Sequence, residues 1–390
     1  MPAPPPIPPA LLVLADLVAG FARRAPSARV AVTRAGGILE PEALPPVLRR
    51  PVARAVAAAS EASRVALPFA KVERALKLEW RRPVGRVLDA LEEEPLALTP
   101  AAQVHAGVLD GAPVVVKLRR AGVERALRAD LAVLDVLGPA LSAAFPRLDA
   151  GALLRDAREL ALDEVDLEHE ASQQRRAARA LRDVAGVRVP APVAELTTPE
   201  VFVMERLPGA TLASGARPED RGAAARALIA AARTLVLEAG FVPVDLRASH
   251  VLVAEDGTLG LLGMGVGRPV DRARATSAFG LLAALASEDE ERFAAILAEA
   301  SVLPPAAARA SFVPVHALLG PLLGEPCRLD AAALRALIER AGVGASELLP
   351  LGQVGSPRPE DLWMARALGQ LVAVLSRLEA TEDWAALLAS

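Results

Sequence analysis

The chain has 390 residues, of which 53% are hydrophobic, and a formal net charge of −3 at pH 7. A chain of this length folds as two or three domains or as one two-lobed unit, and its apolar content excludes global disorder. The weakly acidic balance argues against nucleic-acid binding through bulk charge. The single cysteine, Cys327, excludes an internal disulfide and a cysteine-based zinc site.

The basic residues are strongly biased towards arginine. Only Lys71, Lys77 and Lys117 are lysines, and the chain contains no asparagine. Each lysine is therefore more informative than usual about function, and a missing asparagine is less informative.

The N-terminal part of the chain predicts short helices. Residues 1–9 are rich in proline and predict a loose segment. From about residue 10 to residue 80, apolar residues recur at three- and four-residue spacing between prolines, which predicts several helices. We interpret residues 1–80 as an N-terminal helical extension. The sequence predicts neither a signal peptide nor a transmembrane helix.

A β-rich pattern begins near residue 94. Two apolar runs, 103–109 and 112–118, are joined by Asp110 and Gly111, and an Asp-Gly pair between such runs is the strongest short-range signal for a β-hairpin. A further strand is predicted at 201–207.

Two helices are predicted between the hairpin and that strand, at about 122–143 and 151–183. The second is acidic in its first half and basic in its second half, an order that suits the helix dipole. We therefore predict a small β-containing N-lobe over residues 81–207.

The remaining chain predicts a mainly helical C-lobe over residues 208–390. A helix at about 218–239 leads to a second hairpin, whose turn contains Asp256, and helices with proline and glycine breaks follow from about 270. The uncharged run at 310–324 is too short and too broken by prolines to span a membrane.

Three positions stand out as candidates for chemistry, each with a plainer alternative. Lys117 ends a buried strand, although an edge-strand lysine can also extend to water. Asp166 and Glu170 share a helix face and call for a nearby cation, although a solvated acidic face is the commoner explanation. Asp245 lies between a helix and a hairpin, where a turn residue is also expected.

Taken in order, these segments resemble the UbiB/AarF family of atypical kinases from about Arg82 to Gly267. The segment from Ala97 to Gln103 resembles the family's alanine-rich nucleotide loop, and Lys117 resembles the lysine of the ATP site. Glu164 and Asp166 resemble the family's Glu-x-Asp motif, and Glu170 resembles the glutamate that follows it. Met204 and Glu205 resemble the hinge segment.

The resemblance implies an α+β, bilobal, protein-kinase-like fold that binds ATP or ADP in the cleft between the lobes. It implies catalytic-site positions at Lys117, Glu170 and Asp245, the last as a vestigial catalytic-loop aspartate. The nucleotide-contacting residues that it implies are Ala97, Gln103, Lys117, Glu164, Asp166, Met204, Glu205 and His250.

The sequence also departs from the family pattern where metal is bound. The catalytic loop, usually His-x-Asp-x-His-Pro-Gly-Asn, keeps only Asp245, and His250 stands at the asparagine. Gly263 replaces the aspartate of Asp-Phe-Gly, so we expect no magnesium at the usual ligands. The family's Lys-x-Gly-Gln signature has its nearest counterpart at Arg34–Gly37.

We therefore predict a bacterial pseudokinase that binds nucleotide weakly or without metal and acts in quinone- or lipid-related metabolism, such as ubiquinone biosynthesis. An active kinase or ATPase with altered metal ligands stays open, as does a non-catalytic module that binds protein or lipid. Expected partners are a nucleotide and either a lipid, an isoprenoid-like molecule or a protein. No nucleic-acid partner is expected, and the predicted location is the cytoplasm, with any contact peripheral to the inner membrane.

Overall fold

The computed structural model describes residues 65–99, 101–131, 138–139, 141–143, 145–340 and 354–389. Most of the predicted N-terminal extension, including Arg34–Gly37, lies outside the described residues.

Strands and helices alternate in the first half of the described chain, and helices dominate the second. The strands are β1 (Ala90–Leu98), β2 (Ala102–Leu109), β3 (Ala112–Arg119), β4 (Val187–Arg188), β5 (Val201–Glu205), β6 (Ala210–Thr211), β7 (Phe241–Pro243), β8 (Val251–Val253), β9 (Leu259–Leu261), β10 (Gly267–Pro269), β11 (Cys327–Arg328) and β12 (Thr381–Glu382). The helices are α1 (Phe69–Trp80), α2 (Val123–Leu131), α3 (Ala150–Asp163), α4 (Leu167–Ala180), α5 (Arg221–Arg233), α6 (Arg272–Ala286), α7 (Glu290–Glu299), α8 (Pro305–Ala310), α9 (Phe312–Leu323), α10 (Pro359–Leu378) and α11 (Trp384–Ala389). Residues 331–340 are also helical.

The N-lobe is built on an antiparallel sheet with the strand order β1-β2-β3-β5. The predicted hairpin is confirmed, because β2 and β3 pair in register around the Asp-Gly turn. Asp110 and Gly111 both have positive φ, 50° and 75°. That combination is typical of the type I′ turn, whose twist matches the strands that it joins.

The two faces of β3 have different roles. Val114, Val116 and Leu118 are buried and pack in one cluster with α1, whose Trp80 indole donates a 3.0 Å hydrogen bond to the Leu196 carbonyl. Because side chains alternate across a strand, Lys117 points to the opposite face, towards α4. Helix α1 thus closes one side of the sheet and leaves the other side for the cleft.

The helix predicted at 151–183 is divided, so that prediction was wrong in detail. Helix α3 ends at Asp163 and α4 begins at Leu167, because Asp166 takes an extended conformation (φ −99°, ψ 101°) and its carboxylate accepts from the backbone N–H groups of Glu168 and His169. An aspartate in this N-cap position satisfies donors that would otherwise lack a partner.

Strand pairing in the C-lobe brings two loops together. Strands β8 and β9 form the predicted second hairpin, within a sheet of order β4-β9-β8-β6. Strand β7 pairs with β10, with Pro243 opposite Gly267. The loop that follows β7 and the turn that precedes β10 therefore lie side by side.

A network of ion pairs and hydrogen bonds around the buried Arg268 joins β10 to helices α3 and α10. The Arg268 guanidinium, on β10, lies 2.9 Å from Asp156, 3.0 Å from Glu159 and 3.1 Å from Asp163, all on α3. The Trp363 indole of α10 donates to Asp156 as well. Burial opposes the charge of Arg268, but these acidic partners outweigh it and raise the pKa of Arg268 above its usual value.

None of the helices in the described ranges combines the length and the apolarity that a membrane crossing needs.

Candidate functional site

The central feature of the cleft is an ion pair between β3 and α4. The Lys117 ammonium lies 2.8 Å and 2.6 Å from the two carboxylate oxygens of Glu170. The two side chains are only 15% and 11% exposed. A charge-assisted contact of this kind is roughly twice as strong as a neutral hydrogen bond, and its partial burial weakens screening by salt.

Packing of α4 on the sheet places Glu170 against the lysine. Phe202, on β5, lies opposite Lys117 in the strand register and is fully buried against Leu167 and Ala171 of α4. Residues three and four positions apart share a helix face, so the same face that packs on Phe202 presents Glu170. The pair therefore follows from the way the helix seats on the sheet.

The Glu-x-Asp motif occupies the break between α3 and α4. The Asp166 carboxylate caps the N-terminus of α4. It accepts hydrogen bonds of 3.1 Å and 3.0 Å from the backbone N–H groups of Glu168 and His169. Glu164 is buried, with 6% of its surface exposed. The structure thus gives Asp166 a structural use beside the nucleotide role that the resemblance implies.

Gln103 is engaged away from the cleft. It is fully buried, and its amide oxygen accepts a 2.7 Å hydrogen bond from the Leu67 N–H, while its amide nitrogen lies 2.9 Å from His105 Nε2. These contacts anchor the segment before α1 to the sheet, and they engage the amide for which the resemblance implies a nucleotide contact. Ala97 lies near the end of β1 and is exposed.

The hinge residues lie at the end of β5. The Met204 sulfur accepts a 3.3 Å hydrogen bond from the Gln174 amide, on α4. The carboxylate of Glu205 forms an ion pair with Arg188. The backbone of Glu205 also pairs with Val114 of β3, so the hinge is continuous with the strand that carries the lysine.

The catalytic-loop segment forms a compact cluster around Asp245. The Asp245 side chain is 4% exposed, and the Arg247 guanidinium contacts both of its oxygens, with Nε 2.8 Å from Oδ1 and Nη2 3.2 Å from Oδ2. The first contact is ionic, since its geometry does not meet the angle of a hydrogen bond. Asp245 therefore already has a cation, supplied by its own loop.

His250 completes this cluster through both ring nitrogens. Its Nδ1 lies 2.9 Å from the Asp245 backbone oxygen, and its Nε2 lies 3.2 Å from Arg247 Nη2. Because the guanidinium can only donate, Nε2 must accept, and Nδ1–H then donates to the carbonyl. His250 thus faces the loop's own groups, and its Nδ1 also lies 3.5 Å from Asp245 Oδ2.

The turn at Gly263–Gly265 has no room for the side chain of the family aspartate. A Cβ on Gly263 would lie 2.5 Å from the Asp245 backbone oxygen and 2.8 Å from His250 Nδ1. A Cβ on Gly265 would collide with the Glu170 side chain and lie 3.0 Å from its backbone oxygen. The glycines let the turn pack directly on the catalytic loop and on α4.

The donor set does not fit a magnesium ion at the usual position. Gly263 offers no ligand, His250 presents an imidazole, and Asp245 is paired with Arg247, whereas Mg²⁺ requires several oxygen ligands in octahedral geometry. Across the described ranges, no group of three or more His, Cys, Asp or Glu side chains is arranged to hold a metal ion.

Asp256 does not replace the missing ligand. Its side chain lies in the turn of the β8–β9 hairpin, fully exposed, where hydrogen bonds from the Thr258 backbone and side chain lower its pKa. This is the turn role that the Glu-Asp-Gly sequence suggests.

The structure brings Lys117 into contact with Glu170 and Asp245 into contact with Arg247, a residue to which the sequence analysis assigned no role. The available signal was a basic residue two positions after the aspartate. A spacing of two does not by itself reveal whether the guanidinium turns back onto that carboxylate.

The fold and the order of these segments define a protein of the protein-kinase-like class. Comparisons with known proteins agree with this classification. The model of the ABC1 atypical kinase-like domain matches residues 61–297. The chain belongs to this family, which includes proteins named UbiB and AarF.

Among curated relatives, the chain is 28% identical over 194 residues to "AarF domain-containing protein kinase 1" of Xenopus tropicalis, covering 48% of this chain and 37% of that protein. It is 30% identical over 201 residues to "Probable protein kinase UbiB" of Cellvibrio japonicus, covering 48% and 36%. The matches thus span little more than a third of each relative.

A solved structure shares the fold over nearly the whole chain. It is the complex of Rv3197 with erythromycin from Mycobacterium tuberculosis, with a TM-score of 0.64, 20% identity, and coverage of 97% of this chain and 93% of that one.

Proposed function

We propose that the chain is a pseudokinase of this family, which binds ATP or ADP in the cleft without a divalent cation and does not transfer phosphate by the usual route. The observation that carries the proposal is the closed cluster of Asp245, Arg247 and His250 beside Gly263. By the family resemblance, Asn and Asp metal ligands of active members correspond to His250 and Gly263 of this cluster.

The chemistry of phosphoryl transfer supports this reading. Catalysis of that reaction rests on positioning and on neutralising the charge of the transferring group, largely through bound metal ions. Here the carboxylate at 263 is absent, and Asp245 contacts an arginine at 2.8 Å. A carboxylate held in an ion pair is a poorer metal ligand and a poorer base towards a substrate hydroxyl.

Arg247 also accounts for metal-independent nucleotide binding. An unpaired Asp245 would repel the phosphates, and in active kinases the metal ions cancel that repulsion. In this chain the guanidinium cancels it. Lys117 remains as the cation that family members direct at the phosphates, held in place by Glu170 at 2.6 Å. Nucleotide binding then needs no added cation.

A thermal-shift titration tests the proposal. ATP and ADP are added to the purified chain in EDTA, and in parallel with Mg²⁺ or Mn²⁺. Ligand at about 100 times Kd stabilises the fold by about 2.7 kcal/mol, which is readily measured. We expect saturable shifts of equal midpoint in EDTA and in Mg²⁺, and loss of the shift in Lys117→Met. No shift under any condition would overturn nucleotide binding, and a shift that requires Mg²⁺ would overturn metal independence.

The wider role follows from the family resemblance. We propose that the nucleotide-bound form acts in quinone- or lipid-related metabolism from the cytoplasm, with contact to a membrane only at its periphery and with a lipid, an isoprenoid-like molecule or a protein as partner. Isoprenoid quinone levels in a strain that lacks the gene test this role. Unchanged quinone and lipid profiles would contradict it.

A further inference from the structure

A separate cavity lies inside the C-lobe, away from Lys117 and Glu170. It has a volume of about 510 Å³ and is walled by α5, α6, α7, α9 and α10 together with β7. This volume lies within the range of pockets that enclose small organic molecules. Neither the Lys117–Glu170 pair nor the Gly263 turn contributes to its lining.

Two of the helices around the cavity, α6 and α9, are unusually apolar. Helix α6 carries no charged residue after Arg274, and α9 contains no Asp, Glu, Lys or Arg. Helices that are apolar on all sides are normally buried on all sides. Here several large apolar side chains of α6 and α10 are only half-buried although they face inwards; examples are Phe279, Leu282 and Leu368.

The charged groups at the cavity wall are committed to protein partners. Arg274 makes two 2.6 Å hydrogen bonds to Asp361 and a third, of 3.0 Å, to the Ala300 carbonyl. The Arg233 guanidinium lies over the Phe279 ring, 4.8 Å from its centre. With its charges engaged in this way, the cavity favours an uncharged occupant, since an ion placed there would lose its hydration.

We propose that this cavity is a binding site for an uncharged, largely apolar small molecule, distinct from the nucleotide cleft and independent of the function proposed above. The driving force is burial of apolar surface, at about 25 cal/mol per Å². A volume of about 510 Å³ matches a small organic molecule.

The test uses the neutral fluorescent probe N-phenyl-1-naphthylamine, titrated against the full chain. We expect saturable binding at one site per chain. Ala278 of α6 and Ala367 of α10 both line the cavity, so a phenylalanine at either position would take up part of its volume. Ala278→Phe and Ala367→Phe should each weaken probe binding at least tenfold without lowering Tm. The matched control is Ala273→Phe, at an exposed position of the same α6, which should bind as the wild type does.

A second measurement covers the case in which a filling variant does not fold. A diazirine-bearing alkyl probe is photolysed with the wild-type chain, and the labelled peptides are identified by mass spectrometry. We expect label on α6 and α10, reduced by excess N-phenyl-1-naphthylamine. Absence of saturable binding, unchanged affinity in both folded filling variants, or label confined to other segments would overturn the proposal.

Discussion

At the scale of single residues, the cleft contains a lysine–glutamate ion pair. Lys117 and Glu170 approach to 2.6 Å in a largely buried setting. A retained pair of this kind stabilises the N-lobe whether or not nucleotide chemistry survives, because removing either partner leaves one buried charge uncompensated.

Replacing one partner should therefore be costly. Lys117→Met and Glu170→Gln are each expected to lower the free energy of unfolding by about 3 kcal/mol, and the double variant should lose less than the sum of the two. Urea unfolding of the four proteins measures this coupling. Additive losses, or single variants within about 0.5 kcal/mol of wild type, would show that the pair does not contribute.

Gly263 gives a second residue-scale prediction. A Cβ there would approach the Asp245 backbone oxygen to 2.5 Å, and backbone cannot move aside as a flexible side chain can. Gly263→Ala should cost about 1–3 kcal/mol through overpacking. Gly369→Ala, on α10, where an added Cβ meets nothing within 4 Å, is the matched control and should be neutral or stabilising. Equal Tm values for the two variants would contradict the crowded turn.

How far the site was predictable varies from residue to residue. Lys117, Glu170 and Asp245 belong to motifs whose order and separation carry information along the chain. Gln103 belongs to such a motif too, yet its amide is bonded to Leu67, 36 positions earlier. Tertiary contacts of this kind leave no mark in local sequence. Arg247 was missed for another reason, because a spacing of two does not fix whether its guanidinium contacts Asp245.

At the scale of secondary-structure elements, the break between α3 and α4 sets the geometry of the cleft. Asp166 ends the helical path by capping α4, and Glu170 follows one turn later. The β2–β3 hairpin was predictable because Asp-Gly has a specific backbone preference. The helix break was not predictable, because helical apolar spacing continues through residues 151–183 and only the N-cap geometry at Asp166 interrupts the helix.

The cap can be measured directly. Asp166→Ala should lower the free energy of unfolding by about 1 kcal/mol. Asp166→Ser should retain most of the wild-type stability, because a serine hydroxyl also accepts hydrogen bonds from the first-turn amides. Glu168→Ala, an exposed residue in the same first turn, is the control and should change stability by less. A loss in Asp166→Ala no greater than in that control would rule out the capping role.

At the scale of the whole molecule, Arg268 ties together segments that are more than a hundred positions apart in sequence. It is 7% exposed and contacts three carboxylates of α3, one of which also accepts from Trp363 of α10. The bilobal fold was predicted from motif order, since the order of kinase segments is shared across the family. The Arg268 network was not predicted, because nothing in the local sequence distinguishes this arginine from the many others in the chain.

Arg268→Met should therefore destabilise the protein by about 1–3 kcal/mol, since it leaves the partly buried carboxylates of Asp156 and Asp163 without their cation. Arg128→Met is a suitable comparison, because Arg128 pairs with Glu124 at the surface and is 61% exposed. That variant should lose less than about 1 kcal/mol. Thermal or urea unfolding compares the two. Similar losses would mean that the network contributes no more than a surface ion pair.

The most direct test of the central claim is steady-state ATP hydrolysis by the purified chain with Mg²⁺ or Mn²⁺, compared with Asp245→Asn. Because Asp245 is held by Arg247 and Gly263 offers no metal ligand, the account predicts no turnover above background in either protein. A robust Mg²⁺-dependent rate that disappears in Asp245→Asn would contradict the account.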